Sequence, residues 1–236
     1  MTSPLAERLA RIAVVYYSAR GNVDGLARAV AEGAASEGAE VRLRHVAELN
    51  QELLISAKQH WGRHRSEIED EPDARLEDIE WADGIAFGTP TRFGNVSAQL
   101  KLFLDLAGEL WQQGRLVDKV ATAFTSSQTE HGGQESTILA LNNTLYHWGA
   151  IIVPLGYTVH EVFNGGGNPY GASFTSDHHT GGPDEDTLVV ARAQGARLAR
   201  VAKVIGAARD AGLLTTKPAP SDAADRPASC TRSLRR

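Results

Sequence analysis

A short stretch, Ser18-Ala19-Arg20-Gly21-Asn22-Val23, joins a continuous apolar run to a helical repeat. Residues of these types at such a junction can hold a phosphate, because backbone N–H groups and the positive end of the helix dipole converge there. Ser18 adds a hydroxyl donor, and Gly21 permits close approach or a positive φ. The stretch carries neither Gly-x-Gly-x-x-Gly nor Gly-x-x-x-x-Gly-Lys-Ser/Thr, which argues against a dinucleotide or a nucleoside triphosphate at this loop. Alone, it reads equally well as a capped turn with no ligand.

A second constellation is Thr89-Pro90-Thr91-Arg92-Phe93-Gly94-Asn95. Proline stiffens it, Arg92 can hydrogen-bond or stack, Phe93 can pack against a ring, and Gly94 lets backbone approach a planar edge. An ordinary Pro/Gly turn would use the same residues. A third runs Thr125-Ser126-Ser127-Gln128-Thr129-Glu130-His131-Gly132-Gly133-Gln134-Glu135. Each follows a predicted strand, and three loops from neighbouring strand ends are what a ligand at a topological switch point requires. Their joint occurrence is far more specific than any one of them.

The histidines and aromatics carry bland readings beside the chemical ones. His147 follows the helical stripe that ends at Leu145 and could be an interior histidine bonded to a carbonyl. His178 and His179 beside Asp177 suggest metal ligands, but a polar loop explains them as well and no spaced third ligand follows, so no metal is expected. Glu130 and His131 read as backbone placement more than acid–base groups. Trp111 and Tyr157 are either packing aromatics or part of a substrate enclosure.

The elements that must position these residues follow from periodicity. Ile12 to Tyr17 form a buried run, the mark of a central parallel strand. Val23, Leu26, Ala27, Val30, Ala31 and Ala34 then recur at helical spacing. Further strands are predicted at Val41–Val46, Gly84–Gly88, Lys119–Phe124 and Ile151–Leu155, with helices through Leu100–Ala107 and Ile138–Trp148. The alternation predicts a doubly wound α/β fold with a five-stranded parallel sheet. Residues 156–183 hold seven of the 23 glycines and two prolines, and read as a functional insertion around strand five. A helix from about Asp184 to Ala208 closes the domain. Residues 50–80 look like a charged, partly helical surface excursion. The domain is expected over 1–213, with 214–236 a disordered tail.

Composition narrows the class. The 236 residues include 24 Lys plus Arg against 29 Asp plus Glu, a net charge of −5, with no general attraction to nucleic acid or an anionic membrane. No basic helix face or interface peptide marks a regulatory partner. Cys230 has no second cysteine to pair with, and neither a signal peptide nor a membrane span is evident, so a soluble cytoplasmic protein is expected.

Four stretches, YYSARGNVDGLARAVAEGA, FGTPTRFGNVSAQLKLFLD, FTSSQTEHGGQES and GGNPYGA, resemble the WrbA-type NAD(P)H:quinone oxidoreductases, relatives of flavodoxin, over about residues 11–208. The resemblance implies tightly bound, non-covalent FMN, with Ser18 to Val23 around its phosphate, Thr91, Arg92 and Phe93 beside the isoalloxazine, and Ser126 through Gly132 along the ring and ribityl side. Pro90, Gly94 and Asn95 belong to the same contact loop. It implies that His147 lies at the flavin as a proton source, and that Trp111, with Tyr157 a weaker candidate, encloses a quinone near a neighbouring subunit's site in a homotetramer. The activity implied is two-electron reduction of quinones by NADH or NADPH, each using the same flavin face in turn. A flavodoxin-like one-electron carrier is the rival, although carriers are shorter and more acidic. Arg20 departs from the family, where a Tyr is usual; its charge suits either the 2′-phosphate of NADPH or the FMN phosphate.

Overall fold

The computed structural model describes residues 8–49, 71–177 and 181–214. In chain order the elements are β1 (Arg11–Tyr16), α1 (Asn22–Ser36), β2 (Glu40–His45), α2 (Leu76–Trp81), β3 (Gly84–Pro90), α3 (Ala98–Leu106), α4 (Gly108–Gln112), β4 (Val120–Ser127), α5 (Gln134–Trp148), β5 (Ile151–Ile152), a 3-10 turn at His160–Phe163, β6 (Ser173–Thr175) and α6 (Glu185–Asp210). The tail beyond residue 214, Cys230, His178, His179 and residues 50–70 of the predicted excursion lie outside the described residues.

The strands are parallel in the order β2-β1-β3-β4-β5, with β6 also beside β4. The chain leaves β1 toward β2 on one side, then crosses to β3 on the other. Loops after β1 and β3 therefore diverge and leave a crevice at the carboxyl edge. Alternate residues of β1 feed two cores. Ile12, Val14 and Tyr16 pack with α1 and α6, whereas Ala13 and Val15 pack with Ile79, Leu100, Leu104, Leu141 and Leu145 on the other face.

Two strands run further than periodicity suggests. β3 continues through Thr89 and Pro90, and β4 through Thr125, Ser126 and Ser127, because these polar residues pair with each other and with β6. The predicted single fifth strand is two pieces. Ile151 and Ile152 pair with Val120 and Ala121, Val153 N donates to Ala121 O at 2.8 Å, and Pro154, which has no N–H, ends the ladder. The chain loops out and returns at Ser173–Thr175 against Thr125–Ser127. The glycine-rich insertion thus interrupts strand five and begins earlier than residue 156.

α1 and α6 meet at backbone distance. A Cβ on Gly33 would lie 1.9 Å from Arg192 O, and one on Gly195 1.9 Å from Val30 O. At the amino edge of the sheet, the buried carboxylate of Asp83 accepts from Arg11 N at 3.0 Å, Arg8 Nη2 at 2.9 Å and Arg209 Nη2 at 3.0 Å. It ties the chain before β1 and the end of α6 to the start of β3. Burial alone would raise the Asp83 pKa, but the bonds from Arg8 and Arg11 hold it below the usual carboxylate range. No helix among the described residues is long and apolar enough to cross a membrane.

Candidate functional site

The crevice at the carboxyl edge has a volume of about 620 Å³, within the range of small-molecule sites. Three loops line it. Ser18, Ala19, Arg20, Asn22 and Val23 come from the β1–α1 junction, Pro90 to Phe93 from the end of β3, and Ser126 to Thr129 with Gly132 from the end of β4.

The β1–α1 junction is shaped by Gly21, which stands before the helix with φ 92 and offers no side-chain cap. The first N–H groups of α1 are consequently left for a ligand. Gly21 N donates to Ser18 Oγ at 3.1 Å, which uses the hydroxyl as acceptor and leaves its proton free to donate into the crevice. Gly21 itself shapes the loop without lining the crevice.

The second loop is a tight reversal. Arg92 N donates to Asn95 O at 2.8 Å and Asn95 N to Arg92 O at 3.0 Å, with Phe93 at φ 54 and Gly94 at φ 73 between them. Two consecutive positive φ values define a type I′ turn, a geometry that Phe adopts only at a cost. The turn lifts the Phe93 ring entirely into solvent, 102% exposed, at the rim. Arg92 is partly buried, and its Nη1 donates to Thr91 O at 3.0 Å. Burial lowers its pKa, and the charge of Arg20 adds to this while Tyr17 and Glu48 oppose it.

Thr91 locks the second loop to the third. Its Oγ1 donates to Gly132 O at 3.1 Å, receives Gly94 N at 3.2 Å and lies 2.9 Å from Thr137 Oγ1. A Cβ on Gly133 would lie 2.8 Å from Gly94 Cα, so the two loops touch through glycines. Gly94 and Asn95 build the turn and do not line the crevice. In the third loop Ser127 Oγ donates to Thr129 O at 2.7 Å and Gly132 N to the same carbonyl at 3.0 Å. Glu130 and His131 sit exposed on the outside of that turn, away from the lining.

Sequence reasoning missed Ser176, which lines the crevice after β6 and whose N donates to Ser127 O at 3.0 Å. It was hidden inside the glycine-rich insertion, and only the pairing of β6 with β4 brings it to the site. Conversely, besides Gly21, Gly94, Asn95, Glu130 and His131, three further expected residues do not line this crevice. α5 starts at its rim and carries His147 about 20 Å along the helix to the amino edge of the sheet. Trp111, half exposed at the end of α4, donates its Nε1–H to His147 O at 2.8 Å and so lies at the same distant edge. Tyr157, on the insertion, stacks on Phe163 with ring centroids 5.1 Å apart. Within one chain, then, His147, expected at the flavin, lies at the opposite edge of the sheet from the crevice.

Residues 10–164 match the NADPH-dependent FMN reductase family. The chain belongs to that family. This FMN reductase family member is 45% identical over 201 residues to the NAD(P)H dehydrogenase (quinone) of Sinorhizobium fredii, covering 82% of this chain and 98% of that protein. It is 41% identical over 177 residues to the enzyme of the same name from Deinococcus radiodurans, covering 75% and 86%. Among solved structures, the flavodoxin, WrbA-like protein of Agrobacterium tumefaciens aligns with TM-score 0.59 and 27% identity over 83% of this chain and 98% of that one. A flavodoxin from the domain Archaea, 17% identical with TM-score 0.55 over 82% and 99%, shares the fold. The fold is flavodoxin-like.

The residues present fit FMN. An uncapped helix start, the free proton of Ser18 and the amide of Asn22 suit a terminal phosphate. Between the Thr91–Phe93 segment and the Ser126–Gly132 turn, the hydroxyls of Thr91, Ser126 and Ser127, the Arg92 guanidinium and the Phe93 ring offer polar and aromatic contacts that suit a planar heteroaromatic ring.

Proposed function

We propose that this protein catalyses the two-electron reduction of quinones to hydroquinones by NADH or NADPH through FMN: NAD(P)H, a proton and a quinone give NAD(P)⁺ and a hydroquinone. The observation that carries this reading is the convergence of three loops from β1, β3 and β4 on one crevice, where the Ser18 hydroxyl accepts from Gly21 N and keeps its proton to donate beside an α1 start that has no side-chain cap. Bound FMN supplies the chemistry, taking a hydride equivalent from the nicotinamide and giving it to the quinone.

The chain supplies binding, orientation and exclusion of water. Ser18, Asn22 and Val23 with the start of α1 hold the phosphate, Thr91 and Arg92 flank one side of the ring, and Ser126 to Thr129 with Gly132 the other. The rigid coupling of the last two loops through Thr91 and Gly133 fixes the ring slot before any ligand enters, which favours near-attack geometry. Nicotinamide and quinone use the crevice in turn.

The same reading includes a homotetramer acting in the cytoplasm, the compartment that supplies reduced nicotinamide nucleotide. Trp111 and His147, exposed together far from their own crevice, are available to cover a neighbouring subunit's site, where Trp111 packs on the quinone and His147 donates a proton. Tyr157 belongs to the insertion surface.

The test is direct. Purified protein should be yellow, should bleach on adding either nucleotide, and should recolour with benzoquinone. Parallel double-reciprocal lines are expected, and intersecting lines would reject alternating use of one site.

A further inference from the structure

Two guanidinium groups face the same crevice. Arg20 stands exposed on the rim at the β1–α1 junction, and Arg92 lies partly buried on the turn after β3. They are near enough for the charge of Arg20 to depress the pKa of Arg92, adding to the effect of burial. Arg92 spends Nη1 on Thr91 O at 3.0 Å. Arg20 spends nothing: among the described residues, no carboxylate pairs with it and no carbonyl accepts from it. Like charges brought together at a ligand site, one without a counterion, make a cavity that favours an anion.

The terminal phosphate of FMN already has donors. The start of α1, the hydroxyl proton of Ser18 and the amide of Asn22 meet at the base of the loop, and a helix N-terminus is a sufficient phosphate site. Arg20 lines the same crevice, is exposed, and is close enough to Arg92 for the two charges to interact. A planar guanidinium matches a phosphate monoester bidentately, and NADPH carries one at the ribose 2′ position where NADH has a hydroxyl.

We propose that Arg20 is the specificity-determining residue of this enzyme, holding the 2′-phosphate of NADPH at the crevice mouth with Arg92 beside it. This rests on the reading of the crevice as an FMN and nicotinamide-nucleotide site.

The experiment uses FMN-loaded wild type, Arg20→Ala and Arg20→Lys. The ratio of kcat/KM for NADPH to that for NADH is measured with benzoquinone. Affinities for adenosine 2′,5′-bisphosphate and adenosine 5′-monophosphate are measured by calorimetry, and the FMN dissociation constant by fluorescence. Wild type should favour NADPH roughly tenfold or more, the gain expected of a charge-assisted pair to phosphate. In Arg20→Ala that ratio should fall at least about tenfold and the bisphosphate should lose its advantage over the monophosphate, with Arg20→Lys between. A wild type indifferent to the two nucleotides, or a ratio in Arg20→Ala within about threefold of wild type, overturns the assignment. If FMN affinity collapses while the ratio holds, the guanidinium serves the FMN phosphate instead, which also overturns it. Should neither nucleotide bleach the wild-type flavin, the quinone reductase reading fails. The calorimetry then judges Arg20 alone: a bisphosphate advantage that survives Arg20→Ala overturns the proposal.

Discussion

The indole of Trp111 donates its Nε1–H to the carbonyl of His147 at 2.8 Å, joining the end of α4 to the last turn of α5 at the edge of the sheet remote from the crevice. Both side chains are exposed there. A role for either in catalysis must then be exercised on another subunit. Trp111→Ala should raise KM for quinone by about tenfold, the value of an aromatic stacking pair plus its lost area, without changing FMN affinity. Mixed oligomers of Trp111→Ala subunits with subunits unable to bind FMN should recover wild-type KM at a fraction of sites. If KM in the mixture equals that of Trp111→Ala alone, the trans arrangement is wrong.

Phe93 adopts φ 54 while its ring stands in solvent, so the conformation costs energy and no intramolecular packing offsets it. Phe93→Asn should stabilise the FMN-free protein by about 1 kcal/mol, because Asn tolerates the left-handed region. The same change should weaken FMN binding by removing the ring that closes the slot. Thermal unfolding with and without FMN measures both effects, and a variant less stable in both forms would show that the ring packs in the free protein.

Gly33 and Gly195 let α1 and α6 touch backbone to backbone. Either Gly→Ala change brings a methyl within 1.9 Å of a carbonyl oxygen and must push the helices apart. Each should destabilise by about 1–3 kcal/mol despite alanine's better helix propensity. Denaturant unfolding provides the number, and a neutral result would mean the helices slide freely.

Asp83 is buried among Arg8, Arg11 and Arg209 and has a depressed pKa. A carboxyl that ionises more readily when folded adds stability above its unfolded pKa, near 3.8, and loses it as pH falls through the folded value. Stability should therefore drop below about pH 4 in wild type, with a smaller drop in Asp83→Asn. That variant should also be about 3–5 kcal/mol weaker at pH 7, since it leaves guanidinium groups crowded without their anion. Equal acid sensitivity in the two proteins would contradict this account.

Lys119, buried at the same edge with Nζ donating to Glu80 O at 2.7 Å and also to Ala82 O, has its pKa pushed down to about 8, chiefly by burial. Because the unfolded lysine holds its proton more tightly, stability should rise as pH increases from about 8 toward 10.5. A titration of unfolding free energy across that window checks the sign.

Much of this was legible in the chain itself. Buried runs such as Ile12–Tyr17 and the helical stripe from Val23 to Ala34 express local periodicity, and their alternation is enough to specify a doubly wound sheet and the loops at its carboxyl edge. Ser18, Arg92 and Ser126 could be named because each lies within a few residues of a strand end, where geometry follows from local sequence. Other features depended on partners far away along the chain. Thr125 to Ser127 look like a loop until β6 pairs with them, and Ser176 reaches the crevice only through that pairing. His147 looks functional by position, yet helix length alone carries it to the opposite edge. What the sequence determined was the order of elements and the chemistry of each turn, since these arise from contacts between neighbours. The tertiary structure decided which turns share a crevice and which residues lie at the opposite edge of the sheet, because those depend on long-range register and on the span of whole helices.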